Sequence, residues 1–305
     1  MNRFSLALRA ATVLAAAFAL SACSPLSLVN AVSPAGGAIA STALAYAPGE
    51  RHMLDVYRPP GGAQKAPVIV FFYGGNWVSG DRADYAFVGR ALAARGFVVV
   101  VPDYRLYPQV RYPDFLDDAA GAVAWTHREI AAHGGDPERI FLMGHSAGAY
   151  NAAMLALDAR WLGKQGDRPS MLRGWIGLAG PYDFLPIQNP TTRPVFHYPD
   201  TPRDSQPLNY ASAASPPALL IAPREDKVVN PARNTGGMAA RLRGKQVPVR
   251  EFYYDGVGHA TLVASLSTSL KRLAPTLDAV DDFVRSDGGR AAGAGQAAGT
   301  SGTMR

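Results

Sequence analysis

Residues 140–143 (Ile-Phe-Leu-Met) form an apolar run that passes directly into Gly144-His145-Ser146-Ala147-Gly148, and that pentapeptide opens an alanine-rich stretch reaching Leu157. Consecutive apolar residues without polar alternation suit a strand covered on both faces. A chain that leaves such a strand and enters a helix within a few residues has to turn very tightly. Gly144 and Gly148 remove the side chains that would clash in that turn. Ser146 then stands at the apex, with a helix N-terminus behind it that favours developing negative charge. The pattern G-x-S-x-G alone arises by chance in roughly one of six chains of this composition. The strand–turn–helix setting is what makes it specific.

The same alternation runs along most of the chain. Apolar, strand-like runs fall at 53–57, 68–73, 97–101, 175–178, 219–222 and 249–254. Helical segments are expected at 85–95, from Pro113 to a stop at Gly134-Gly135, at 230–243, and at 262–284 with an interruption at Pro275. Strands alternating with helices predict the α/β class, with a mostly parallel central sheet flanked by helices. With 48% apolar residues in 305, one core suffices, and the folded domain is expected over 50–286. Residues 23–49, rich in Ala, Ser, Pro and Gly, read as a tether, and 287–305 as a disordered tail. The proline-rich segment 181–217 is expected to form a small lid insertion.

At the N-terminus, Arg3 and Arg9 precede a short apolar stretch and then small residues, the layout of a secretory signal. That apolar stretch is too short to span a bilayer. Leu20-Ser21-Ala22-Cys23 has the form of a bacterial lipobox, so 1–22 is expected to be removed and Cys23 to carry the lipid. Cys23 is the single cysteine of the chain. Ser24 behind it implies outer-membrane sorting, hence a lipid-anchored protein on the periplasmic side of a bacterial cell envelope. The net charge of +6 comes without a Lys/Arg run, which excludes a nucleic-acid stripe.

A neutral serine is a poor nucleophile and needs a base within hydrogen-bond reach. Of six histidines, only His197 and His259 follow Ser146 with room for a loop between. His197 lies in an irregular stretch, whereas His259 follows the 249–254 strand through the flexible Gly256-Val257-Gly258, so His259 is the expected base. His145 is expected to pack structurally. An acid that orients the imidazole belongs in a loop after a strand; Asp226, beyond 219–222, is the first choice, ahead of Glu225 and Asp255. Backbone donors for an oxyanion are expected from Gly74 and Gly75, in Tyr73-Gly74-Gly75-Asn76-Trp77, together with Ala147.

Taken in order, Tyr73-Gly74-Gly75-Asn76-Trp77, Pro102-Asp103-Tyr104-Arg105-Leu106, Gly134-Gly135-Asp136-Pro137 and Gly144-His145-Ser146-Ala147-Gly148 resemble the carboxylesterase branch of the α/β-hydrolases. That branch includes hormone-sensitive-lipase-like esterases, prenylcysteine methylesterases and kynurenine-formamidase-like enzymes. Asp226-Lys227-Val228-Val229 and Gly258-His259 continue the match. The resemblance implies an α/β-hydrolase fold and acyl transfer to water through a seryl ester, with no metal and no cofactor, on a small-molecule ester. It also implies a structural ion pair between Asp103 and Arg105 beneath the oxyanion loop. Tyr73 stands where the family usually has the His of His-Gly-Gly; that His braces the loop by a hydrogen bond, which a phenol can also make. Trp77, Phe184 and Phe196 are expected to line an acyl pocket open to short acyl groups. The rival readings are an amidase or formamidase with the same residues, and a binding lipoprotein that has kept the fold without catalysis.

Overall fold

The structure, a computed structural model, describes residues 25–289. The expected signal peptide 1–22, Cys23 and residues 290–305 lie outside the described residues. Eight strands form one sheet in the order β1-β2-β4-β3-β5-β6-β7-β8. They are β1 Ile39–Ala45, β2 Met53–Arg58, β3 Ala66–Phe72, β4 Val98–Pro102, β5 Gly135–His145, β6 Leu172–Leu178, β7 Ala218–Pro223 and β8 Val249–Tyr254. β2 runs antiparallel to both β1 and β4; every other pairing is parallel. Every residue of β4 and β7 is buried, which is why those segments read as unbroken apolar runs.

The helices are α1 Pro25–Val32, α2 Ala86–Ala93, α3 Asp114–Glu129, α4 Ala147–Leu157, α5 Ala159–Gly163, α6 Gly237–Arg243, α7 His259–Ala264 and α8 Thr276–Arg285. All eleven residues of α4 are buried, so its alanines and Gly148 are the small residues that a helix seated directly on the sheet requires. A Cβ on Gly148 would stand 2.0 Å from the Phe72 carbonyl oxygen, and one on Gly144 2.1 Å from the Gly148 carbonyl oxygen. The ends of β3, β5 and α4 meet at this point.

Three expectations need correction. Residues 25–49 do not form a simple tether, because they hold α1 and β1. β1 pairs with β2 from Ile39↔Arg58 to Ala45↔Met53, with a bulge between Ser41 and Leu44. Ala43, at φ +56, donates its amide to Asp55 there. An edge strand mostly of Ala, Ser and Thr, largely exposed and with Ile39 and Leu44 five positions apart, carries no apolar alternation to signal it. α1 is tied down by Asn30, whose side chain accepts from the Phe87 amide at 2.7 Å. The second correction concerns 262–284, which is two helices joined by turns. Ser265 and Thr276 hydroxyls hydrogen-bond each other at the junction, and Ser265 also bonds the Leu262 carbonyl, so hydroxyls compete with the helical ladder. Third, 230–243 begins as a π-helical turn at Ala232–Gly236 before α6.

The segment 181–217 contains only short 3₁₀ turns, but it is pinned as a wall. The Tyr112 amide donates to the Val195 carbonyl at 2.9 Å and His197 Nε2 to the Tyr112 carbonyl at 2.7 Å. The Tyr182 and Asp183 amides both donate to the Asn234 side chain.

Candidate active site

Ser146 joins β5 to α4 with φ 54 and ψ −122, a region that costs a non-glycine residue about 1–3 kcal/mol and survives only where packing enforces it. Its amide is held by the Leu178 carbonyl at 2.9 Å. The same enforced turn directs its hydroxyl at His259: Oγ lies 2.8 Å from Nε2. His259 opens α7, just beyond β8, and its Nδ1 lies 2.7 Å from Asp226 Oδ2. A carboxylate only accepts, so Nδ1 carries the proton and Nε2 is left as the acceptor for the serine hydroxyl.

Asp226 sits in the loop after β7, and its side chain is shielded from solvent. Its Oδ1 accepts from the Val228 and Val229 amides at 2.8 and 3.1 Å. Burial pushes the carboxyl upward, but the hydrogen bond from His259 and the two amides outweigh it and hold the group below its ordinary value. The other acids considered are elsewhere: Glu225 is exposed, and Asp255 pairs with Arg224 at 2.9 Å. His197 is occupied by the Tyr112 carbonyl. Three of the residues singled out in the sequence are therefore brought together.

His145 does more than pack. Its Nε2 donates to the His259 carbonyl at 2.9 Å, and the two rings lie 4.9 Å apart. Burial, reinforced by the neighbouring His259, lowers its pKa from 6.5 to about 3. Between those values the unfolded chain binds a proton that the folded protein refuses. Stability contributed here is intact above 6.5 and is lost as pH falls toward 3, by at most about 1.4 kcal/mol per pH unit. Urea unfolding at pH 7, 6, 5 and 4 is expected to show this slope reduced in His145→Gln; parallel slopes for both proteins contradict it.

The glycine pair divides its work. A Cβ on Gly74 would come within 3.0 Å of Ser146 Cβ, so this glycine lets the loop lie against the serine, while its amide faces the Tyr85 hydroxyl. Gly75 has φ +132, and a Cβ there would strike the Ser79 carbonyl at 2.1 Å. Asn76, which the sequence reading passed over, lines the cavity next to Ser146 and Ala147. Asn is among the few residues at ease with φ near +54, so a Gly-Gly-Asn run was the available signal.

Tyr73 does brace the loop. Its hydroxyl donates to Asp103 at 2.8 Å and accepts from Arg51 at 2.6 Å, and its ring stacks between Tyr85 and Tyr104. Arg51 also reaches the Gly80 carbonyl at 2.8 Å. The expected Asp103–Arg105 pair is not formed. Asp103 is held by Arg51 and Arg82, and Arg105 by Asp118 at 2.6 Å, so each has its own partner.

The cavity above Ser146 is about 210 Å³. Trp77, Phe184, Val228 and Val229 supply apolar wall, and Asn76, Asn189 and an Asp183–Arg233 ion pair (3.0 Å) supply polar wall. Phe196 is not at the surface of the cavity: it is fully buried behind it, 4.8 Å from Trp77 and 5.2 Å from Phe184, ring to ring. Among the described residues no group of three or more His, Cys, Asp or Glu side chains is placed to hold a metal ion.

The chain resembles known proteins in both sequence and fold. The probable isoprenylcysteine alpha-carbonyl methylesterase ICME of Oryza sativa subsp. japonica is 37% identical over 137 residues, 44% of this chain and 33% of its own length. Esterase LipC of Mycobacterium tuberculosis is 31% identical over 228 residues, 68% of this chain and 56% of its own length. This chain thus spans about a third of the plant relative and just over half of the mycobacterial one. Among solved structures, a truncated carbohydrate esterase from gut microbiota superimposes with a TM-score of 0.71 at 20% identity, covering 84% of this chain and 99% of that one. The apo form of Thermogutta terrifontis esterase 2 gives 0.67 at 22% identity, with 82% and 94% covered; these likenesses establish the α/β-hydrolase fold. The BD-FAE family model matches residues 54–236, more than half of the chain, and the protein belongs to that family.

Proposed function

We propose that the protein is a serine carboxylesterase for short-chain or small aromatic esters. The observation that carries this reading is the unbroken hydrogen-bond chain from the Ser146 hydroxyl through His259 to Asp226, at 2.8 and 2.7 Å, on the floor of an open cavity. Ser146 Oγ attacks the ester carbonyl carbon while His259 Nε2 takes its proton, and Asp226 stabilises the imidazolium. The carbonyl oxygen gains negative charge at the N-terminus of α4, near the Ala147 amide, with the 75–76 backbone opposite. Collapse returns the proton to the departing alcohol and leaves a seryl ester, which water cleaves by the same steps. The protein relatives named for esterase activity support the same class of reaction.

A volume of about 210 Å³ lies below the roughly 300–1,000 Å³ usual for drug-sized ligands, and the pinned 181–217 wall limits its growth. Aryl acetate and butyrate are therefore expected to be cleaved with kcat/KM at least about tenfold above the palmitate ester; equal rates across the series contradict the short-acyl reading. An anilide of the same acid tests the amidase alternative. On sequence alone, we place the protein in a bacterial envelope through lipid at Cys23, outside the described residues; incorporation of labelled palmitate that persists in Cys23→Ser would exclude it.

A further inference from the structure

Two successive non-glycine residues beside Ser146, Asn76 and Trp77, hold φ of +54 and +59. Asn tolerates that region, whereas a bulky aromatic residue does not unless its surroundings impose it. The constraints on Trp77 are visible. Its carbonyl accepts from the Tyr107 amide at 2.8 Å. Its ring, 2% exposed, is caged by Phe115, Tyr150 and Phe196. Its one polar atom, Nε1, donates to Asn151 Oδ1 at 3.0 Å.

Asn151 lies on α4, five residues after Ser146, and is fully buried. An indole N–H can only donate, so the amide must present its oxygen to Trp77. That fixes the orientation of the group and leaves Nδ2 without any hydrogen-bond partner. A buried, unpaired amide N–H is a desolvation cost that leucine, with the same branched skeleton, does not carry, although leucine would in turn leave the indole N–H of Trp77 unpaired. The two penalties are of similar size, so stability alone gives asparagine little advantage at this position. Geometry gives one, because the bond connects the helix that carries the nucleophile to the loop that faces it across the cavity.

Resting on the esterase reading above, we propose that Asn151 is a positioning residue, a strap from α4 to Trp77 that holds the 75–77 backbone in register with Ser146 so that its N–H groups meet the oxyanion. The strap acts on the transition state and not on substrate capture. A misplacement of about 1 Å in such a donor can cost about 10²-fold in rate.

The test uses the full chain with a short-acyl aryl ester and a trifluoromethyl ketone, which forms a tetrahedral oxyanion adduct with serine. Asn151→Leu is expected to lower kcat by about 10²-fold and to weaken the ketone by the same factor. KM should stay within about twofold and the thermal midpoint within a few degrees, since the change exchanges one unpaired buried N–H for another. Trp77→Phe, which removes the indole N–H and keeps an aromatic ring, is expected to show a comparable loss in kcat. The double variant should lose little beyond either single change, since both break one bond. Asn151→Asp, which keeps the acceptor, is expected to recover most of kcat. Retention of kcat in Asn151→Leu overturns the strap, as does additive loss in the double variant, or a fall in kcat matched by a fall in the thermal midpoint. A wild-type protein with no ester turnover overturns the esterase reading itself and the strap with it; a turning-over wild type beside an unaffected Asn151→Leu overturns the strap alone.

Discussion

Replacing Ser146 with alanine is expected to lower ester turnover by about five to six orders of magnitude while leaving the thermal midpoint within a few degrees. The side chain removed is a single hydroxyl, and the strained turn around it is fixed by the Leu178 carbonyl and by the glycines, not by Oγ. Labelling by a fluorophosphonate, which needs the same hydroxyl activated by the same imidazole, is expected to vanish with it. Asp226→Asn should lose about 10⁴-fold, because an amide can offer its N–H to His259 and so favour the wrong tautomer. If the wild type takes up no fluorophosphonate, or if Ser146→Ala is labelled as strongly, the nucleophile has been misassigned.

The largest structural effect is expected at Gly148. A methyl group there would stand 2.0 Å from the Phe72 carbonyl oxygen and 2.5 Å from that of Tyr73. Both are backbone atoms of the strand end and the loop beyond it, so no side chain can rotate away. Gly148→Ala is expected to cost about 3 kcal/mol or more and to displace the start of α4 together with Ser146. Urea unfolding and ester turnover should therefore fall together, in contrast to Ser146→Ala, in which only turnover falls. A Gly148→Ala protein of wild-type stability and activity would show that the strand–helix junction is looser than drawn. By contrast, Gly163, with nothing within 4 Å of an added Cβ, is expected to accept alanine without loss.

How far the sequence revealed this arrangement depends on where each constraint originates. The central strands were legible because burial on both faces writes itself into consecutive apolar residues; the run read at 219–222 is the wholly buried β7 of the structure. β1 was not legible, because its pairing partner and not its own composition makes it a strand. Ser146, His259 and Asp226 could be located because each follows a strand end that local pattern exposes. The division of labour among Gly74, Gly75 and Asn76 could not, since it depends on how the backbone turns at the positive φ of Gly75 and Asn76. The brace of Tyr73, Arg51 and Asp103 unites three segments far apart in the chain, and no local pattern announces it. Phe196 was misplaced for a related reason: an irregular, proline-rich path has no period from which inside and outside can be read.

The hairpin of β1 and β2 has a practical consequence for recombinant work. The family match begins at residue 54, and a fragment cut there, or at residue 50, discards β1. β2 would then become a bare sheet margin with unsatisfied amides and carbonyls, a template for strand addition between molecules. The fragment starting at 54 also lacks Arg51, the guanidinium that clasps the Tyr73 hydroxyl and the Gly80 carbonyl. Expression designs that retain everything from Pro25 onward keep that margin covered and the clasp in place.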